Sequence, residues 1–177
     1  MNILINALGI QDSGGIAVFR SFIEECAKNT LDQHFIYCNH NKGILNISKE
    51  FSKFKNISFK IIKNNSFFRR LWIENIWFYN FSHVNKIDII YNFTGTFQPF
   101  VNIPQVVKIQ NLMFFSKALD RFYLRKLNLF LWLKHIFFKR LVLKIILLKS
   151  VHLEVQSFHV KSYVKEFINI DKKKFYV

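Results

Sequence analysis

Glycine is scarce in this chain: five in 177 residues, three of which (Gly9, Gly14 and Gly15) share the single turn "GIQDSGG". Proline is scarcer still, with two. Together these exclude collagen-like, Gly/Ser-linker and Pro-rich low-complexity classes. The two cysteines, Cys26 and Cys38, have no redox or metal-ligand spacing, which excludes a disulfide scaffold and suits a reducing compartment. Acidic residues are also few: 11 Asp and Glu stand against 26 Lys and Arg, for a formal net charge of +15. No secretory leader is read at the start, because the apolar stretch of "MNILINALGIQDSGG" is too short and lacks a basic flank. Six histidines (34, 40, 83, 135, 152 and 159) show no H-x-x-x-H or H-E-x-x-H spacing, so no metal site is assigned.

What is abundant is apolar. Hydrophobic residues make up 51% of the chain and Phe alone supplies 22, which argues for an ordered core in one domain of ordinary size. The richness in Asn, Lys, Ile and Phe reads as a genome-composition bias. Strands are expected at 2–8, 34–39, 57–62, 87–93, 105–111 and 151–157, mostly as near-continuous apolar runs of the kind covered on both faces. Helical stretches are expected near 15–30, 66–84, 116–149 and 158–168. The alternation predicts an α/β fold: a Rossmann-like parallel sheet flanked by helices, with right-handed crossovers and no internal domain boundary. Ligands in such folds bind beyond the carboxyl ends of the strands. The loops to examine are therefore "GIQDSGG", "TGTFQPF", "NLMFF" and "SFHVK".

The first of these loops leads into "IAVFRSFIEECAKN", with Phe19, Phe22, Ile23 and Cys26 on one side and Ser13 or Asp12 as the cap. A helix start of this kind suits a phosphate. It is equally a tight structural turn, since neither a Walker loop nor G-x-G-x-x-G is present. Arg70 and Glu74 are four apart on one helical stretch, as an ion pair or as an anchor for a phosphate or glycan. Segment 117–150 carries nine Lys or Arg and one acid, Asp120. Its charges rule out a membrane span of about 20 apolar residues. It reads either as a helix with its basic face in water or as a patch for anionic headgroups, with Arg125, Lys126, Trp132, Lys139, Arg140 and Lys144 at the surface. Ser157 reads as a helix N-cap, with no G-x-S-x-G elbow around it. The basic residues are dispersed and no helix-turn-helix, RNP or zinc motif is present, so nucleic acid is not the expected partner.

Four stretches, in order, carry a resemblance to a known family. "DSGGIAVFRSFIEECAKN" resembles the opening of GT-B fold glycosyltransferases, particularly family 4, and "FFRRLWIENIWF" looks like that family's arginine-tryptophan-glutamate helix. "DIIYNFTGTFQPFVNIPQVVKIQNLMFF" is similar to its acceptor-side strands and loop, and "VHLEVQSFHVKSYVKEFINIDKKKFYV" to the strand and helix that follow. The resemblance implies one half of a GT-B fold, the acceptor-side N-terminal domain over 1–177. Gly14 and Gly15 would then face the donor diphosphate, and Arg70, Glu74, Thr94, Gly95, Gln110, Asn111 and Ser157 would line the acceptor cleft. Gln110 and Asn111 stand where many relatives carry a histidine or aspartate, and an amide is no general base. No catalytic residue is therefore assigned.

The resemblance further implies a retaining hexosyltransferase of bacterial surface-polysaccharide or glycolipid assembly, using a nucleotide-sugar donor and a glycan or lipid-linked acceptor. The two-glutamate donor motif of the C-terminal domain has no counterpart before "KKKFYV", so the chain alone is expected to bind no cofactor and transfer no sugar. A cytoplasmic location, peripheral at the inner membrane face, is the matching expectation. The competing readings are a stand-alone basic membrane-surface module and one subunit of a split glycosyltransferase with a separate C-terminal half. The sugar, acceptor, linkage and oligomeric state are not specified by the sequence.

Overall fold

The computed structural model describes residues 1–11, 13–63, 66–109, 120–122, 129–138, 140–141, 152–155, 157–167 and 175–176. Two compact units, Met1–Val107 and Lys108–Val177, are taken in turn.

In the first unit, strands β1 (Asn2–Ala7), β2 (Gln33–Asn39), β3 (Ile57–Ile62), β4 (Ile89–Asn92) and β5 (Gln105–Ile109, which runs past the end of the unit) stand in the order β3-β2-β1-β4-β5. All the neighbouring pairs are parallel. Helices cover both faces, as the alternating pattern requires. On one face α1 (Ser13–Lys28) and α2 (Lys42–Phe51) bury Phe19, Ile23, Ile44, Ile47 and Phe51 against Ile5, Ala7, Ile36 and Cys38. Phe19 meets Phe93 edge-on at 5.3 Å, and Phe22 stacks on Tyr91 at 4.8 Å. On the other face Ile73, Phe78 and Val101 pack on Leu4, Tyr37 and Ile90. Each such side chain, fully buried, contributes about 1.5–3 kcal/mol of transfer free energy.

Helix α2 is an addition to the sequence reading, which placed no helix between the second and third strands. Its signal is present: Ile44, Ile47, Ser48 and Phe51 fall on one buried side, and the side chain of Asn41 caps the start by accepting from Gly43 N at 2.8 Å. The expected helix over 66–84 is also corrected in form. It consists of α3 (Phe67–Trp72), a π-helical turn (Ile73–Trp77) and α4 (Phe78–Val84). Ile73 and Phe78 belong to the same core but are five apart, a spacing that a regular helix cannot place on one side. The wider turn reconciles them, and Trp77 Nε1 donates to Tyr37 Oη at 2.9 Å to tie the turn to β2. Such turns recur at functional sites.

In the second unit, the helix α5 (Leu129–Trp132) continues into a π-helical turn (Leu133–Phe137). Strands β6 (His152–Val155) and β7 (Phe175–Tyr176) pair in parallel, and α6 (Phe158–Phe167) follows β6. Asp120 accepts from Trp132 Nε1 at 2.8 Å and takes a two-oxygen contact from Arg140 at 2.9 Å. Lys108, near the end of β5, pairs with Glu154 at 2.6 Å.

Candidate functional site

Near the carboxyl ends of β1 and β4, after the runs Ile3–Ile5 and Ile89–Tyr91, stand the asparagines Asn6 and Asn92. Asn6 and Asn92 are register partners, both fully buried, and their side chains lie on the face covered by the π-helical turn. Buried amides require partners, and here they find them in a connected set. Asn6 Nδ2 reaches Glu74 Oε1 at 2.9 Å, Thr96 Oγ1 at 3.0 Å and Asn92 Oδ1 at 3.2 Å. Two hydrogens among three acceptors means that one is shared. Asn92 Nδ2 in turn donates to Gln105 Oε1 at 3.2 Å, and Gln105 Nε2 donates to the carbonyl of Gln98 at 2.8 Å.

Glu74, only 5% exposed, is the acid of this set. Its Oε1 also accepts from Arg70 Nε at 2.9 Å, so the carboxylate is held from two sides. The Arg70 guanidinium lies over Gly9: a Cβ built there would come within 2.9 Å of Nη1 and 2.7 Å of Thr94 Oγ1. Gly9 is therefore needed for close approach, the one glycine of the opening turn with that role shown. Arg70 Nη2 reaches Thr94 Oγ1 at 3.4 Å, and its remaining donors are unspent among the described residues. Gly95 has a φ of 68°, in the left-handed region that glycine adopts without strain, which turns the chain between the half-buried Thr94 and Thr96 hydroxyls. Gln98 is fully buried, and both polar atoms of its side chain have no hydrogen-bond partner among the described residues. Among the described residues the ensemble presents hydrogen-bond donors and hydroxyls at a strand-end edge, and its one carboxylate, Glu74, is buried and paired with Arg70.

The sequence-derived candidates fall as follows. Arg70, Glu74, Thr94 and Gly95 come together as described. Gly14 and Gly15 lie inside the first turn of α1, Gly14 exposed and Gly15 half-buried. Ser157 accepts from Val160 N at 3.3 Å at the start of α6, an N-cap contact. Trp132 and Arg140 are both engaged with Asp120, the Arg140 side chain being 15% exposed. Gln110, Asn111, Arg125, Lys126, Lys139 and Lys144 lie outside the described residues. Sequence reasoning named the loop "TGTFQPF" without singling out its Thr96 and Gln98, and it missed Asn6, Asn92 and Gln105. The available signal was an asparagine following the apolar run of each of two strands, Ile3–Ile5 and Ile89–Tyr91.

Elsewhere in the first unit a cavity of about 290 Å³ opens at the opposite, amino-terminal end of the strands, lined by Ile3, Phe22, Cys26, His34, Ile89 and Tyr91. Burial pushes the Cys26 and Cys38 thiols up to about 12. Among the described residues there is no group of three or more His, Cys, Asp or Glu able to hold a metal ion, and no helix long and apolar enough to cross a membrane.

No protein-family model and no curated protein matches the chain. Among solved structures it is similar to a glycosyltransferase from Rickettsia africae ESF-5, with 17% sequence identity and a TM-score of 0.59. The likeness covers 99% of this chain and 42% of that one, so the chain spans well under half of that enzyme's length. At this identity it shows the fold: a Rossmann-like α/β arrangement of parallel strands flanked by helices, shared with a glycosyltransferase.

Proposed function

We propose that the chain is the acceptor-side half of a retaining, nucleotide-sugar-dependent glycosyltransferase that builds a bacterial surface polysaccharide or glycolipid. The observation that carries this reading is the likeness in fold to 42% of a glycosyltransferase, together with a polar binding edge at the carboxyl ends of β1 and β4. In this account Arg70, Thr94 and Thr96 donate to acceptor oxygens, and Glu74 positions Arg70 from behind. Gly14 and Gly15 lie toward the donor diphosphate, where a helix N-terminus favours anionic oxygen. Turnover requires a donor-binding half, as further chain or as a separate polypeptide, and Gln110 and Asn111 stand near the reacting sugar.

The test is nucleotide release from a panel of nucleotide sugars, with the 177-residue chain alone and with a donor-binding half added. The reading expects no release from the chain alone. It expects release with both halves, lowered in Arg70→Lys and Thr94→Val. Release by the unaided chain, or release indifferent to both substitutions, overturns it.

A further inference from the structure

The cavity of about 290 Å³ lies at the opposite end of the strands from Asn6 and Glu74, and register and helical spacing account for its walls. Ile3 on β1 is the register partner of His34 on β2 and of Ile89 on β4, so the three side chains form a row across neighbouring strands. Tyr91, two residues beyond Ile89, points to the same side of the sheet. Phe22, Glu25, Cys26 and Asn29 stand three and four apart on α1, hence on one side of the helix, and face this row. Asn56 Nδ2 donates to the carbonyls of Cys26 at 3.0 Å and of Asn29 at 2.8 Å, tying the end of α1 to the residue before β3. The walls are thus held in place by the protein's own hydrogen bonds. An opening of this size stands out against interiors packed with few voids larger than a water molecule.

The chemistry of the walls selects an occupant. Phe22 and Tyr91, stacked at 4.8 Å with 21° between their planes, supply an aromatic wall. Among the lining residues no charge is left unpaired. The Glu25 carboxylate is exposed and meets Lys28 at 2.6 Å. Burial pushes the Cys26 thiol up to about 12 and holds His34 below its ordinary 6.5, so both are neutral at pH 7. An ionic ligand would lose its hydration here without gaining a counter-charge. His34 is 4% exposed, and its Nδ1 has no hydrogen-bond partner among the described residues. Leaving a buried polar atom unmatched costs free energy, and a hydroxyl, both donor and acceptor, suits a neutral imidazole in either tautomer. A dry cavity of about 150 Å³ already accepts a benzene ring, so the volume here admits a substituted one.

We propose that this cavity binds a small neutral aromatic alcohol, its ring against Phe22 and Tyr91 and its hydroxyl on the His34 imidazole. The inference goes beyond sugar transfer and does not rest on it, because the cavity and the polar edge of β1 and β4 are at opposite ends of the strands.

The probe is p-cresol, and the comparison is toluene, which keeps the ring and methyl group and lacks the hydroxyl. Amide chemical shifts of the 177-residue chain are followed at neutral pH during titration with each. With p-cresol, saturable shifts should centre on Ile3, Phe22, Cys26, His34 and Ile89, leave Thr94 to Thr96 unmoved, and give a Kd below about 1 mM. Toluene should bind at least about fivefold more weakly, the factor that one net hydrogen bond supplies. In His34→Leu that preference should vanish. Ile89→Phe, which fills the cavity from the sheet side, should abolish binding of both compounds, and Ile3→Phe gives the same reading if that variant is impaired in folding. The proposal is overturned if p-cresol at millimolar concentration produces no saturable shifts, or shifts centred elsewhere. It is also overturned if toluene binds the native chain as tightly as p-cresol, if the preference survives His34→Leu, or if a folded cavity-filling variant binds like the native chain.

Discussion

Asn6 and Glu74 are 68 residues apart in the chain and 2.9 Å apart in the fold, where the amide of the first strand donates to the carboxylate of the π-helical turn. The same oxygen accepts from Arg70, so removing the carboxylate leaves a partly buried guanidinium and a buried amide short of an acceptor. Glu74→Ala is expected to lower stability by about 3 kcal/mol, and Glu74→Gln, which keeps an acceptor oxygen, by about 1 kcal/mol. Urea unfolding of the two variants checks this. Equal losses would mean that the acceptor oxygen kept in Glu74→Gln contributes nothing to stability.

Gly9 admits Arg70 and Thr94 over the end of β1. In Gly9→Ala the new methyl meets Thr94 Cβ at 2.9 Å, which has little freedom to give way, so the site must open. A loss of about 1–3 kcal/mol is expected. Amide shift changes should centre on Thr94 to Thr96, whereas Gly14→Ala on the exposed start of α1 should leave those amides unmoved.

His34 is buried, and burial holds its imidazole below the ordinary value of 6.5. A histidine depressed in the folded state is protonated more readily in the unfolded chain, so its contribution is complete above about 6.5 and declines as the pH falls. Asp32, held down chiefly by its hydrogen bond from the terminal ammonium, acts in a separate window, below its ordinary 3.8. Between about pH 8 and pH 5 the native chain should therefore lose stability more steeply than His34→Leu. Parallel pH profiles would contradict this assignment.

Cys26 and Cys38 are free and buried, with thiols pushed up to about 12 by desolvation. Near pH 8 neither should react with a disulfide reagent in the native chain, and both should react once it is unfolded in denaturant. Fast native labelling would place one of them at the surface.

The strands were legible because a sheet covered on both faces needs near-continuous apolar runs, and β1 to β6 occupy the expected positions. Helix α2 was hidden by its shortness and by Gly43 in its first turn, although Ile44, Ile47 and Phe51 keep a helical period. The π-helical turn was hidden because the Ile73–Phe78 spacing fits neither helical nor strand periodicity. Arg70 and Glu74 were readable as a local pair at helical spacing. Their meeting with Asn6, Thr94 and Thr96 depends on β1 and β4 being neighbours in the sheet, which no local pattern encodes. A polar residue inside a doubly covered strand was the usable hint, and it applies to Asn6 and Asn92 alike.

The central claim is that acceptor saccharides bind at the carboxyl ends of β1 and β4. Amide chemical shifts of the 177-residue chain, followed during titration with a panel of glycans and saccharide-lipid headgroups, test it most directly. The account predicts saturable shifts at Gly9 and at Thr94, Gly95 and Thr96, abolished in Arg70→Ala with the remaining spectrum retained. Shifts confined to other residues, or none with any saccharide of the panel, would contradict it.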